Sequence, residues 1–163
     1  MSRVVVGVMG PGEDADDDAI AIAFELGRLI ALEGWVLLTG GRDTGVMDAA
    51  CRGAKTGGGL TVGILPGADV DGMSEAVDIS ILTGMGQARN NINVLSSRVL
   101  FACGIGPGTA SEIALALKAG KHVILLNCSE EGTVFFKALG KEKVFVASQP
   151  NEAIAIAKRQ ISS

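Results

Sequence analysis

Short apolar blocks rich in β-branched residues alternate along the chain with longer stretches whose apolar residues recur at helical spacing. After the block 3–9, for example, Ile22, Leu26 and Leu29 fall on one face of a helix. This alternation is typical of βαβ units, in which a helix returns the chain to the start of the next parallel strand. The pattern predicts strands at 3–9, 35–39, 60–65, 78–82, 98–103, 122–127 and 143–147. It predicts helices at 14–33, 45–56, 84–97, 110–119, 132–139 and 150–160.

The predicted strands have few polar positions, and a strand that is apolar on both faces needs helices on both sides of its sheet. We therefore predict an α/β fold, with a Rossmann-like, doubly wound and mainly parallel sheet of about seven strands and helices on both faces. Right-handed crossovers would place every strand-to-helix loop at one edge of this sheet. No linker or repeat interrupts the pattern, so residues 1–163 are predicted to form a single Rossmann-like ligand-binding domain.

The composition narrows the class of protein. The chain is 48% hydrophobic, with a mean hydropathy of +0.40, which indicates a generous core. Its longest apolar runs are far shorter than the roughly 20 residues that span a bilayer, and no secretory signal precedes the first strand, so no membrane association is expected. A net charge of −4 argues against a nucleic acid as partner.

Cysteine and histidine usage indicates neither a metal site nor a catalytic triad. Cys51, Cys103 and Cys128 are widely spaced, and His122 is the only histidine. Three unpaired thiols favour a reducing, cytoplasmic location, and Cys103 is interpreted as a small core hydrophobe. The acidic run 13–18 is interpreted as the cap and first turn of a helix.

Two glycine-rich loops lie between predicted strands and helices: 40–45, GGRDTG, and 104–109, GIGPGT. Glycine permits positive φ and lets backbone N–H groups approach an anion, and we expect this freedom to be used at Gly106 and Gly108. Since both loops would face one crevice, they predict a site for a phosphate or similar oxyanion. The segment 10–12, GPG, is a third candidate wall, although turn geometry alone also accounts for its glycines.

Neither loop matches an established nucleotide fingerprint. The second loop has the pattern GxGxG but places Thr109 in the sixth position. A Walker loop would need GKS or GKT, which the chain lacks. The loops therefore predict an oxyanion without specifying a dinucleotide or a nucleoside triphosphate.

Three segments carry a family resemblance: GGRDTGVM at 40–47, GMGQARN at 84–90 and GIGPGTASEIALALK at 104–118. Together with VMGPG at 8–12 and GILPG at 63–67, they resemble the molybdenum cofactor carrier proteins, within the Rossmann-like superfamily labelled lysine decarboxylase-like. The resemblance implies a non-catalytic homo-oligomer, a tetramer by expectation, that binds the molybdenum cofactor (molybdopterin) and protects it from oxidation. It also implies transient contact with a molybdoenzyme or a molybdenum insertase.

The same superfamily contains the Lonely Guy phosphoribohydrolases, which cleave cytokinin nucleotides and carry a PGGxGTxxE motif and an Arg-Lys pair. Gly108, Thr109 and Glu112 match that motif, whereas Asn90 stands beside Arg89 where those enzymes have lysine. Hydrolysis with Arg89 and Glu112 as catalytic residues is therefore the alternative function. A third hypothesis is a structural homomeric module whose glycines only form turns.

The predicted cofactor-binding residues come from the glycine-rich segments and the elements beside them. They are Gly10, Pro11, Thr39, Gly40, Gly41, Arg42, Thr44, Gly45, Arg89, Asn90, Gly104, Ile105, Gly106, Pro107, Gly108, Thr109 and Glu112. Arg89 offers a bidentate fork for a phosphate or oxo group, or else is a solvated or interface residue. Thr39, Thr44 and Thr109 add hydroxyl donors. Glu112, three residues after Thr109, alternatively closes a capping box.

Overall fold

The structure, a computed structural model, describes residues 3–162, which form seven strands, six α-helices and two 3-10 helices. The strands are β1 Val5–Met9, β2 Val36–Thr39, β3 Thr61–Leu65, β4 Ile79–Leu82, β5 Val99–Cys103, β6 His122–Leu126 and β7 Val144–Val146. The α-helices are α1 Asp17–Leu32, α2 Gly45–Thr56, α3 Asn90–Ser96, α4 Pro107–Lys118, α5 Glu130–Gly140 and α6 Pro150–Ser162. The 3-10 helices are Gly86–Arg89 and Lys141–Lys143.

The strands form one sheet in the order β4-β3-β2-β1-β5-β6-β7. All six neighbouring pairs are parallel, so the predicted α/β, Rossmann-like fold is confirmed and its sheet is wholly parallel. From β1 the chain builds outward through β2, β3 and β4, and it then returns to the other side of β1 with β5. The β1/β5 boundary is therefore a topological switch point, where ligand crevices open in folds of this kind.

Two apolar clusters cover the two faces of the sheet, and alternate residues of one strand serve both. In β5, Val99, Phe101 and Cys103 belong to the cluster that contains α1, α2 and α6 residues. Leu100 and Ala102 belong to the cluster that contains α3 and α4 residues. Burial on both faces explains why the strand sequences have no polar alternation.

Helices α1 and α2 touch backbone to backbone. A Cβ on Gly27 would overlap the carbonyl oxygen of Ala50, and one on Gly53 would overlap that of Phe24. Only glycine fits at these two crossing points, because any side chain would push the helices apart.

The predicted helices 110–119 and 84–97 differ from the observed elements. Helix α4 begins at Pro107 rather than at 110, because proline is well suited to the first position of a helix. The predicted helix 84–97 is divided into a 3-10 helix and α3. Gly84 before the 3-10 helix and Gly86 at its first position have φ of 60° and 55°. Asp16 caps α1 by accepting a hydrogen bond of 2.7 Å from the N–H of Ala19, which confirms the capping interpretation of the acidic run.

The outermost strand β4 departs from the prediction that helices cover both faces of the sheet. The connection 66–78 that leads to β4 contains no helix, and all four residues of β4 are exposed, Ile79 by 46% of its surface. Within residues 3–162, no helix combines the length and the apolar character needed to cross a bilayer.

Candidate functional site

A cleft of about 510 Å³ opens where β1, β2 and β5 end. This volume is within the range of small-molecule sites. The three glycine-rich segments that the sequence singled out all contribute to its walls. The predicted convergence of these segments at the carboxyl edge of the sheet is therefore seen in the structure.

Arg89 is a buried cation on the cleft wall, with only 6% of its surface exposed. It lies at the end of the 3-10 helix, and its Nε donates a hydrogen bond of 2.7 Å to the carbonyl oxygen of Ile64. Its Nη1 donates to Oδ1 of Asn90 at 3.1 Å, and its Nη2 donates to the carbonyl oxygen of Gly40 at 3.4 Å. These three contacts use three of the five guanidinium N–H groups and hold the fork in place.

The charge of Arg89 has no close carboxylate partner. None of the ion pairs within residues 3–162 includes it. Burial lowers its pKa, Glu112 opposes that effect from a distance, and the positive charge of Arg42 lowers the pKa further. Two guanidinium groups thus face one cleft, and a buried cation without a counterion favours the binding of an anion.

The start of α4 supplies backbone donors to the same cleft. Its N-cap residue, Gly106, makes no side-chain capping bond, and Pro107 at the next position has no N–H. The N–H groups of Gly108 and Thr109 make no hydrogen bond within the described part of the chain. All four residues line the cleft, so unpaired donors and the positive end of the helix dipole face it.

The expectation that Gly106 and Gly108 use positive φ is wrong. Gly106 has φ −105°, and Gly108 lies in the first turn of α4 and is not among the glycines with positive φ. In these two loops, positive φ occurs instead at Gly41, Gly45 and Gly104. At Gly108 a Cβ would meet nothing within 4 Å, so the absence of a side chain there leaves the helix terminus open.

Two amides of the first loop, and one at the start of the helix that follows it, donate to other parts of the protein. The N–H of Gly41 donates to Oγ1 of Thr39 at 3.0 Å, and the N–H of Asp43 donates to the carbonyl oxygen of Gly72 at 2.9 Å. At the start of α2, the N–H of Val46 donates to the carbonyl oxygen of Pro11 at 3.0 Å. Gly41 and Asp43 therefore spend their N–H groups on the protein itself, and the cationic group of this loop in the cleft is Arg42.

Glu112 is a buried carboxyl group on the cleft wall, with 7% of its surface exposed. Its Oε1 accepts a hydrogen bond of 2.8 Å from Nδ2 of Asn93. Burial raises its pKa to about 7, against the opposing effects of Asn93 and Arg89. The predicted capping box is wrong, because α4 begins at Pro107 and Glu112 therefore lies in the second turn.

Twelve of the predicted residues line the cleft: Gly10, Pro11, Gly40, Arg42, Arg89, Asn90, Ile105, Gly106, Pro107, Gly108, Thr109 and Glu112. Thr39, Gly41, Thr44, Gly45 and Gly104 do not. The Thr39 hydroxyl is fully buried, where it accepts from the N–H of Gly41 and contacts Sγ of Cys51. A Cβ on Gly45 would overlap the carbonyl oxygens of Pro11 and Gly12, so this glycine is required by packing.

Six lining residues were not among the predicted site residues: Met9, Gly12, Asp14, Met47, Pro66 and Gln87. Met47, the last residue of the segment 40–47, borders the cleft. Pro66 and Gln87 lie within the segments 63–67 and 84–90, and membership of those segments was the signal available for them.

The thiols and the histidine lie elsewhere. Cys103 is fully buried, and burial raises its pKa, as expected for a core residue. Nζ of Lys143 lies 3.4 Å from Nε2 of His122. The ring of Phe145 packs edge-on against the imidazole, with 5.9 Å between the two ring centroids. Residues 3–162 contain no group of three or more His, Cys, Asp or Glu side chains arranged to hold a metal ion.

Comparison with known proteins gives close matches over the whole chain. A model of the SLOG cluster4 family matches residues 3–154. The molybdenum cofactor binding protein of the phototrophic bacterium Rippkaea orientalis is 55% identical, with a TM-score of 0.97 over 99% of each chain. The molybdenum cofactor carrier protein of Chlamydomonas reinhardtii is 50% identical, with a TM-score of 0.93 over 99% of this chain and 100% of that one. An uncharacterized protein of Archaeoglobus fulgidus is 49% identical over 126 residues, which are 77% of this chain and 82% of that protein.

Proposed function

Because this chain belongs to the SLOG cluster4 family, we propose that it binds, protects and carries the molybdenum cofactor without a catalytic step. Two similar solved structures are described as a molybdenum cofactor binding protein and a molybdenum cofactor carrier protein. Identity of 50% or more over nearly the full length supports carrying this ligand over to the present chain. The resemblance in the loops 40–47, 84–90 and 104–118 points the same way.

One observation carries the proposal: Arg89 is buried on the cleft wall without a carboxylate within ion-pair distance in the described chain. The unpaired N–H groups of Gly108 and Thr109 face the same space. Molybdopterin carries a terminal phosphate and oxo groups on the metal, so it presents oxygen acceptors at two separated places. Arg42, Arg89 and the start of α4 supply donors of the matching kind.

The remaining cleft walls suit the flat body of such a ligand. Met9, Met47 and Pro66 offer apolar surface, and Gln87 and Asn90 offer amide groups. The proposed binding set is the group of predicted residues that line the cleft. The residues beneath it, such as Thr39, would hold the loops in position.

The proposal is tested by producing the chain in a host that makes the cofactor and measuring what co-purifies. We expect molybdenum by elemental analysis and pterin fluorescence after oxidation, in similar molar amounts. Arg89→Lys should retain much less of both, whereas Arg98→Lys, at an exposed position outside the cleft, should retain as much as the parent chain. A purified protein without pterin from a cofactor-producing host would contradict the proposal.

A nucleotide phosphoribohydrolase is the second candidate, and one observation favours it. Glu112 lies on the cleft wall with a pKa raised to about 7 by burial, a value suited to proton transfer. In that reading Arg89 would position the phosphate, and Glu112 would assist departure of the base. Incubation with adenosine monophosphate and with a cytokinin nucleotide separates the two functions. Release of free base that Glu112→Gln lowers by about a hundredfold, while the nucleotide still binds, would replace the carrier proposal.

We also propose that the chain acts as a cytoplasmic homo-oligomer, with a tetramer as the expected state. The support is exposed apolar surface, including Ile79, Ile81 and Leu82 of β4 and Leu95 of α3, which a second copy would cover. Delivery would then involve transient contact with a molybdoenzyme or a molybdenum insertase. Light scattering over a dilution series tests the assembly, and a monomer mass at every concentration would refute it.

A further inference from the structure

We propose that Glu112 binds the anionic ligand as a neutral carboxylic acid, donating a hydrogen bond to a ligand oxygen, so that loading the cleft takes up a proton. This inference rests on the proposed function, because it concerns an anion held in the same cleft. It adds a regulation that charge complementarity alone does not imply: affinity that falls as the pH rises.

The first support is the geometry of the carboxyl group. Oε1 is held by Nδ2 of Asn93 at 2.8 Å. Oε2 makes no hydrogen bond within residues 3–162. Unlike Oδ1 of Asn93, it is an unpaired polar atom that is still accessible to solvent. Because Glu112 lines the cleft, one oxygen is fixed to the protein and the other is open to a ligand.

The second support is the poor solvation of the ionised form. A carboxylate has about four acceptor positions, yet this buried group receives a single side-chain hydrogen bond. Its donor Asn93 is itself under-satisfied, since its buried Oδ1 has no partner in the described chain. Burial accordingly raises the pKa of Glu112 to about 7, where a modest change in surroundings alters its protonation.

The charged groups around Glu112 predict how a bound anion acts on it. Arg89 of the 3-10 helix and Arg42 of the first loop are cations on the cleft walls, and Asp14 from the connection after β1 is the other acid there. Helix α3, which packs against α4, contributes no titratable residue. At present Arg89 helps to keep Glu112 ionised. An anion bound to Arg89 would offset that help and repel a carboxylate, so protonation would accompany binding.

The effect has a definite size. If the bound state holds Glu112 fully protonated, a free-state pKa of about 7 makes the apparent affinity about tenfold weaker at about pH 8 than at about pH 6. The probe must not titrate in this range itself, which excludes phosphate. Sulfate remains a dianion throughout and carries the same tetrahedral arrangement of oxygens.

The experiment is calorimetric titration of the full chain with sulfate at about pH 6, 7 and 8, in pairs of buffers with different ionisation enthalpies. We expect uptake of up to one proton per sulfate, rising with pH, and the tenfold decrease in affinity. Glu112→Gln, which keeps a neutral donor, should abolish the uptake and bind sulfate more tightly than the parent chain at about pH 8. Glu131→Gln, at an exposed position of α5, is the matched control and should behave as the parent chain.

The outcomes separate the two claims. Sulfate binding without proton uptake, or with uptake that persists in Glu112→Gln, overturns the role of Glu112 and leaves the anion-binding cleft standing. Absence of sulfate binding at every pH overturns both the inference and the anion site on which the proposed function depends. Circular dichroism of each variant establishes that the fold is intact.

Discussion

The guanidinium of Arg89 occupies the space that a side chain at residue 40 would need. A Cβ built on Gly40 would lie 2.9 Å from Nη2 of Arg89 and 2.8 Å from Sδ of Met47. The methionine is flexible, whereas Arg89 is held by the carbonyl oxygen of Ile64. Gly40 is thus needed because it leaves room for the charged guanidinium group of Arg89.

Gly40→Ala should therefore displace Arg89 and weaken anion binding with little loss of stability. We expect sulfate affinity to fall by about tenfold or more, the effect of one charge-assisted hydrogen bond. Calorimetry measures the affinity and thermal unfolding the stability. Gly67→Ala is the control, since a Cβ there would meet its nearest atom, Oδ1 of Asp69, at an ordinary 3.4 Å. Equal affinity in the two variants would show that the position of Arg89 does not matter.

Arg89→Lys should reduce sulfate affinity by about tenfold to a hundredfold, even though it keeps the charge. Lysine is a point charge without a planar fork, so it cannot hold the carbonyl oxygen of Ile64 and a ligand oxygen together in the same geometry. Arg98→Lys, on the exposed end of the chain segment before β5, should bind as the parent chain does. If Arg89→Lys binds sulfate with the affinity of the parent chain, donors other than Arg89 hold the anion.

Two glycines of the second loop should respond differently to substitution. Gly108→Val places its side chain in open space at the start of α4, so it should leave the melting temperature nearly unchanged and abolish sulfate binding. Gly104→Ala should instead lower the melting temperature, because Gly104 has φ of 77° and an L-residue there is strained by about 1 kcal/mol or more. The reverse pattern would mean that the helix terminus is not the binding surface.

The stability of the chain should depend on pH through Glu112. A raised pKa means that folding favours the neutral form, so this contribution is fully present below about pH 4.5 and is lost as the pH rises to about 7. The loss is at most about 3 kcal/mol. The free energy of unfolding of the parent chain should fall relative to that of Glu112→Gln as the pH rises over this range, and the difference should stay constant above it. Denaturant unfolding of both proteins measures this difference. A difference that does not change with pH would show that Glu112 titrates normally.

The architecture and the place of the candidate site could be predicted from the sequence because they depend on local patterns. Strands such as β5 are apolar on both faces, and glycine follows β1, β2 and β5 directly, so the parallel sheet and its glycine-rich edge follow from residue types alone. The Asp16 cap is equally local, since its partner Ala19 lies three residues away.

What the sequence could not provide are contacts between distant segments. The burial of Arg89 depends on the carbonyl oxygen of Ile64, 25 residues away. The burial of Glu112 depends on Asn93, which belongs to another helix. The predicted capping box was wrong because a helix start can shift by three residues without changing the apolar pattern. With α4 beginning at Pro107, Glu112 lies in the second turn instead of the first.

The backbone contact of α1 with α2 at Gly27 and Gly53 has a mechanical consequence. The β1–α1 and β2–α2 loops lead into these helices, and the carbonyl oxygen of Pro11 is also tied to the N–H of Val46. Two helices in such contact cannot slide independently, so both loops should move together as one rigid body. Any opening of the cleft as the ligand enters or leaves would then require movement on the opposite side, at the 3-10 helix Gly86–Arg89 and the first turn of α4.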